Sequence, residues 1–141
     1  MKVLFVSPSF YPAFHYGGPT FINRSLCDAL GRIDDVQVEV LTTDANGPRQ
    51  RIDVAAAEAN HVESYAIIYC RRTLRPDIAL GVLWRLPSMI RRADVVHLNA
   101  VYSFTTIPTL ALCRLLNKAL VWSTMGGLQR WQGTTRKNSK A

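Results

Sequence analysis

Gly17-Gly18-Pro19-Thr20 follows a short apolar run and its loop and precedes a segment with helical spacing. Two glycines on the carboxyl side of a strand let backbone N–H groups approach a ligand closely, and the helix start behind them presents partial positive charge to a phosphate or carboxylate. Pro19 suits the first helical position, where a missing N–H carries no penalty. A tight strand-to-helix connection is the plain alternative. The loop ahead of the pair, Ser7 to Gly18, carries Phe10, Tyr11, Phe14, His15 and Tyr16. An aromatic loop of that length suits a binding lip better than a bare connector. Two later stretches add polar or flexible groups, Asn99-Ala100-Val101-Tyr102-Ser103 and Ser123-Thr124-Met125-Gly126-Gly127. His97, inside an apolar run, reads first as a core histidine. Asn99 is explicable by turn chemistry alone, and Asp34-Asp35 as a solvated turn. No Gly-x-x-x-x-Gly-Lys phosphate loop, complete Gly-x-Gly-x-x-Gly or Asp-x-Asp occurs.

The elements that must position these residues alternate. Val3 to Val6 is a continuous apolar run of the kind buried on both faces of a parallel sheet. Ile22, Leu26, Ala29 and Leu30 fall at helical spacing between Pro19 and Leu30, with Gly31 as a stop. Val36, Val38 and Val40 alternate with Gln37 and Glu39 as a strand. Asn46-Gly47-Pro48 breaks the chain, and residues 49–64 read as a surface excursion with at most a helical turn. Tyr65 to Cys70, Val95 to Leu98 and Leu120 to Trp122 complete five strands. Helices span 78–92, with Pro87 as a kink or boundary, and 107–116. Strands separated by helices imply right-handed crossovers and a Rossmann-like, doubly wound α/β fold with strand order 3-2-1-4-5. In such sheets ligands bind beyond the carboxyl ends of the strands, where the order reverses between strands 1 and 4.

At 141 residues, with 48% hydrophobic and 19% charged residues, the chain suits one domain with a real core. No apolar run reaches the roughly 20 residues needed to span a bilayer, and the N-terminus is too short in apolar residues for a signal peptide. Cys27, Cys70 and Cys113 are far apart, which favours buried free thiols in a reducing cytoplasm over disulfides or zinc. Charge is lopsided. Residues 1–94 hold 11 basic and 10 acidic side chains, net +1, and residues 95–141 hold 6 basic and none acidic, net +6. The division expected is a domain over 1–128 and a basic tail or continuation over 129–141. That tail suits contact with anionic lipid or protein. Nucleic acid is disfavoured, because the tail lacks an RNA-binding signature and has a single aromatic, Trp131.

The stretches Lys2 to Ser9, Tyr16 to Leu30, Val38 to Gly47, Ala93 to Ser103 and Val121 to Trp131 together resemble the N-terminal half of GT-B, family-4 glycosyltransferases of cell-surface polysaccharide synthesis. The resemblance implies a two-domain hexosyltransferase whose first domain binds mainly a sugar or lipid-linked glycan acceptor. The second domain binds a nucleotide-diphosphate sugar as donor, and no obligatory metal or other cofactor is implied. Gly17 and Gly18 match the glycine pair that approaches the donor diphosphate. Asn99 falls where many members carry a histidine near the reacting sugar, so the catalytic position implied is Asn99. Met125 falls where an arginine is frequent, in Thr124-Met125-Gly126. The acceptor side implied comprises Tyr11, His15, Tyr16, Tyr102, Met125 and Gly126. A donor lobe is not recognisable in the 141 residues, so the expectation is a domain inactive alone and needing a separate donor-binding domain or subunit. A non-catalytic partner or scaffolding subunit with the same fold is the rival. The expected setting is cytoplasmic, peripheral at the inner face of the membrane.

Overall fold

The computed structural model describes residues 1–59, 64–73 and 78–128. Five strands, β1 (Lys2–Val6), β2 (Gln37–Thr43), β3 (Ala66–Cys70), β4 (Val95–Asn99) and β5 (Ala119–Ser123), form one all-parallel sheet ordered β3-β2-β1-β4-β5. This is the Rossmann-like α/β arrangement that the alternation of elements implies. The helices are α1 (Gly18–Gly31), α2 (Val54–Ala59), α3 (Leu80–Arg92) and α4 (Thr106–Leu115), with a 3-10 turn over Phe14–Tyr16.

Strand alternation divides the core into two layers. Val3, Phe5, Val38 and Val40 pack with Phe10, Tyr65 and Cys27 of α1 on one face. Leu4, Val6, Leu41, Val96 and Leu98 pack beneath α3 and α4 on the other. Helices therefore cover both faces, α1 and α2 on one and α3 and α4 on the opposite one. β1, at the centre, is buried along almost its whole length, as its unbroken apolar run requires.

Two local readings change. α1 turns Thr20, Asn23 and Cys27 inward, with Leu26 and Leu30 half-buried and Ile22 exposed. The apolar spacing finds the helix but not its rotation, because its first turns lie over polar strand ends rather than over the apolar centre. Pro87 sits inside α3 without ending it. It lies on the exposed side, while Val82, Leu86, Met89 and Ile90 anchor the turns around it. The excursion over 49–64 contains the six-residue α2.

Candidate functional site

Side chains at the carboxyl ends of the strands make a polar row. Val6 pairs with Leu41 on one side and Leu98 on the other. One residue further along the same strands come Thr42, Ser7 and Asn99, and Asn99 is in register with Ser123. The ladder extends this far, since the Ser7 N–H donates to the Leu41 carbonyl at 3.1 Å. By alternation all four side chains share the face that carries α1. Asn23 reaches down from α1, its Nδ2 at 3.5 Å from Ser7 Oγ. Asn99, only 3% exposed, has an amide oxygen with no hydrogen-bond partner, and so do Asn23 Oδ1 and Thr42 Oγ1. Buried polar atoms are nearly always paired, so these three single out the end of the sheet, a condition shared by Thr106 Oγ1 and Thr109 Oγ1 on α4.

His97 lies one step below this row, its ring tilted by 40° against Phe5 with ring centroids 4.7 Å apart. Its Nε2 is 2.7 Å from Ser123 Oγ. Burial pushes the imidazole below its ordinary pKa of 6.5, so the ring is neutral at neutral pH. It is a satisfied histidine that also holds Ser123 in place beside Asn99.

The backbone just past Asn99 is strained. Ala100 adopts φ +81°, in the left-handed region that disfavours a Cβ. Two bonds from the neighbouring strand hold it there: its N–H donates to the Ser123 carbonyl at 3.1 Å, and its carbonyl accepts from Trp122 Nε1 at 2.9 Å. The following chain packs against the turn after β5. A Cβ on Gly127 would stand 3.2 Å from Val101 Cγ2. In that turn Met125 (φ +46°) and Gly126 (φ +78°) are exposed, and the Gly127 N–H closes it onto the Thr124 carbonyl at 2.8 Å. Residues 99–103 and 124–127 thus lie together.

The glycine pair behaves unequally. Gly17 adopts φ +64° and ψ −137°, a conformation that only glycine takes without strain, and caps α1. Its N–H is spent on the Phe14 carbonyl at 3.1 Å, and its carbonyl accepts from the Thr20 N–H and hydroxyl. Gly18 opens α1, where N–H groups have no intrahelical acceptor, and Pro19 beside it has no N–H at all. Gly18 is therefore the member able to meet an anion, and space beyond its Cα is open.

The aromatic loop separates two cavities. Tyr16 and Tyr102 face a shallow crevice of about 380 Å³ at the carboxyl edge, shared with Pro8, Ser9, Ile78 and Ser103. Tyr11 instead lines a second pocket of about 440 Å³ over β3, walled by Arg24, Asp53, Ala56, Tyr65 and Tyr69. Arg24 stacks on the Tyr11 ring at 4.0 Å, and Tyr69 Oη donates to the Tyr11 carbonyl at 2.6 Å. His15 lies on that side too. Its N–H donates to Asn46 Oδ1 at 2.9 Å, and its ring fills the space beside Gly47. The structure thus places Tyr16 and Tyr102 on one crevice and the 125–127 turn against Val101, leaves Asn99 buried outside the crevice wall, and sets Tyr11 and His15 on the β2–β3 side.

Sequence reasoning missed Ser7, Asn23 and Thr42. Each is unremarkable locally, and only strand register and helix rotation bring them together. Among the described residues no three of His, Cys, Asp and Glu converge, and no helix is long and apolar enough to cross a membrane. The basic stretch 129–141 lies outside the described residues. Comparison of the chain with protein-family models, curated proteins and solved structures finds no match.

Proposed function

We propose that residues 1–128 are the acceptor-side domain of a nucleotide-sugar-dependent hexosyltransferase. It passes a hexosyl group to a glycan or lipid-linked acceptor in cell-surface polysaccharide synthesis, in the cytoplasm at the inner face of the membrane. The observation that carries this reading is the unpartnered, buried amide oxygen of Asn99 where the strand order reverses. A buried acceptor without a donor is destabilising by about 1–3 kcal/mol. That oxygen has no exposed surface, so a shift of the 99–103 chain opens it before an acceptor-sugar hydroxyl supplies the missing hydrogen.

Glycosyl transfer passes through an oxocarbenium-like state while a nucleoside diphosphate departs. The Gly18 N–H and the α1 terminus offer that diphosphate a fixed donor and partial positive charge; an N–H placed this way is worth about 3 kcal/mol in the transition state. Asn99 orients a hydroxyl without taking its proton. Tyr16 and Tyr102 supply flat, amphipathic surface for a sugar ring beside it. Holding hydroxyl and anomeric carbon in line requires a second surface, furnished by a donor-binding domain on the same polypeptide or a separate one.

Titration of the isotopically labelled chain with UDP- and GDP-sugars tests this. Weak binding that shifts the Gly18 and Asn99 amide resonances supports it. Tight binding, shifts confined to other regions, or robust transfer by the purified 141-residue chain alone overturns it. The non-catalytic partner reading draws on one observation, the asparagine at position 99 where the resemblance places a histidine. It requires that nucleotide sugars leave both resonances unmoved.

A further inference from the structure

The pocket of about 440 Å³ over β3 contains neither Asn99 nor the glycine pair. Its apolar wall comes from Phe10, Tyr11, Phe14, Tyr65 and Ile67. The rings meet edge to face: Tyr11 and Phe14 at 5.4 Å and 86°, Phe10 and Tyr65 at 6.3 Å and 86°. They form corners rather than a parallel slot. Phe14 lines the pocket while 57% exposed, and Phe21 beside it is 47% exposed. The polar wall is already balanced in charge. Arg24 faces Asp28 at 3.8 Å, and Arg51 is bound to Asp44 at 2.8 Å. Asp53 Oδ1 accepts from the Ala56 N–H at 3.1 Å, and Asn46 Oδ1 accepts from the His15 N–H. Among the described residues this leaves the second Asp53 oxygen as an acceptor and Asn46 Nδ2 as a donor.

We propose that this pocket binds an uncharged sugar ring of a glycan. A pyranose has apolar C–H faces that settle into an aromatic corner, and hydroxyls that pair with a carboxylate and an amide. The volume falls within the range of small-molecule sites. A phosphate-bearing ligand fits less well, because it would compete with Asp28 and Asp44 for both arginines. A nucleobase also fits less well, since perpendicular rings offer it one stacking face at a time. The wall is fixed in advance: Tyr69 Oη donates to the Tyr11 carbonyl, and Tyr65 Oη to Asp28 Oδ1 at 2.9 Å. A ligand therefore loses little affinity to ordering these rings.

The aromatic loop gives the pocket a use. Phe14 faces the pocket and Tyr16, at the other end of the same 3-10 turn, faces the crevice. An acceptor glycan crossing this turn sets one sugar unit in each cavity, so acceptors of two or more units are preferred over a single sugar. This last step rests on the proposed transferase function; the sugar binding itself does not.

Titration of the isotopically labelled 141-residue chain with methyl glycosides of glucose, galactose and mannose tests the assignment, with adenosine and glucose 1-phosphate as controls. At least one glycoside should shift the Asn46, Asp53 and Ile67 amide resonances saturably. Phe14→Ala should weaken that binding about fivefold. Ala57→Phe, which fills the cavity from α2, should abolish the shifts. Phe14 is exposed and Ala57 half-buried, so both thermal melts should stay close to the parent's. Three results overturn the proposal: no glycoside moves these resonances, adenosine or glucose 1-phosphate binds there more tightly, or the glycoside shifts persist in both variants. With a donor domain present, a disaccharide acceptor should show a KM about tenfold below that of a monosaccharide, an advantage lost in Ala57→Phe. If glycosides bind but both acceptors share one KM, the pocket stands and its link to the acceptor fails. If glycosides bind and no acceptor reacts, the transferase reading fails and the pocket stands.

Discussion

Replacing each glycine of the Gly17–Gly18 pair by alanine should move stability in opposite directions. At Gly17 the φ of +64° and ψ of −137° lie where a Cβ is strained, although no neighbouring atom would be hit. Gly17→Ala should therefore lose about 1–3 kcal/mol through backbone conformation alone. Gly18 is in ordinary helical geometry with open space around it, and alanine there should gain up to about 0.5–1 kcal/mol from the unfolded chain's reduced freedom. Urea unfolding followed by far-ultraviolet circular dichroism measures both as midpoint shifts at constant slope. The functional consequence is the reverse for Gly18. Its new methyl narrows the approach to the Gly18 N–H, so diphosphate binding should fall by about tenfold, an energy of about 1.4 kcal/mol. A Gly17→Ala protein as stable as the parent would refute the conformational reasoning. A Gly18→Ala protein that binds diphosphate as well as the parent would refute the anion-binding role.

Other substitutions probe the surrounding structure. Ala100→Gly should raise stability by about 1 kcal/mol by relieving the left-handed φ beside Asn99, read by chemical denaturation. Arg51 holds buried Asp44 through two bonds of 2.8 and 2.9 Å. Arg51→Met should cost about 1–3 kcal/mol, below the figure for a fully buried pair because Arg51 is itself partly exposed. His97 has its pKa lowered from 6.5 by burial, so the unfolded chain binds that proton more readily. Its contribution should be complete above about pH 6.5, decline as pH falls through that value, and level off below the folded pKa; in His97→Gln this part of the pH profile should vanish. All three thiols are buried, and Cys27 is pushed up to about 12. A thiol-disulfide reagent at mild alkaline pH should titrate them only after denaturant is added, and rapid reaction of the native chain would contradict the packing.

What was legible in the sequence followed from period and punctuation. The unbroken apolar run Val3 to Val6 marked the central strand, valines alternating with Gln37 and Glu39 marked β2, Gly17-Gly18 marked the start of α1, and alternation with helices implied the sheet order. Rotation was not legible. Ile22 and Leu26 suggested one inward face, yet the helix turns Asn23 and Thr20 inward because its beginning covers Ser7 rather than Phe5. Cross-strand pairs were equally hidden. His97 and Ser123 meet because β4 and β5 are in register across a helix, a relation that neither residue's neighbours encode. The aromatic loop read as a single lip, whereas hydrogen bonds to β3 and to Asn46 pull Tyr11 and His15 away from Tyr16.

That loop is fastened along its length: Thr43 Oγ1 to the Pro8 carbonyl, Tyr69 to Tyr11, Arg24 over the Tyr11 ring and His15 to Asn46. Its freedom is surrendered during folding rather than at encounter, so a ligand meets a wall already in position and loses little affinity to ordering it. Loosening any one tether should then appear first as faster ligand escape, before the melting temperature registers the change.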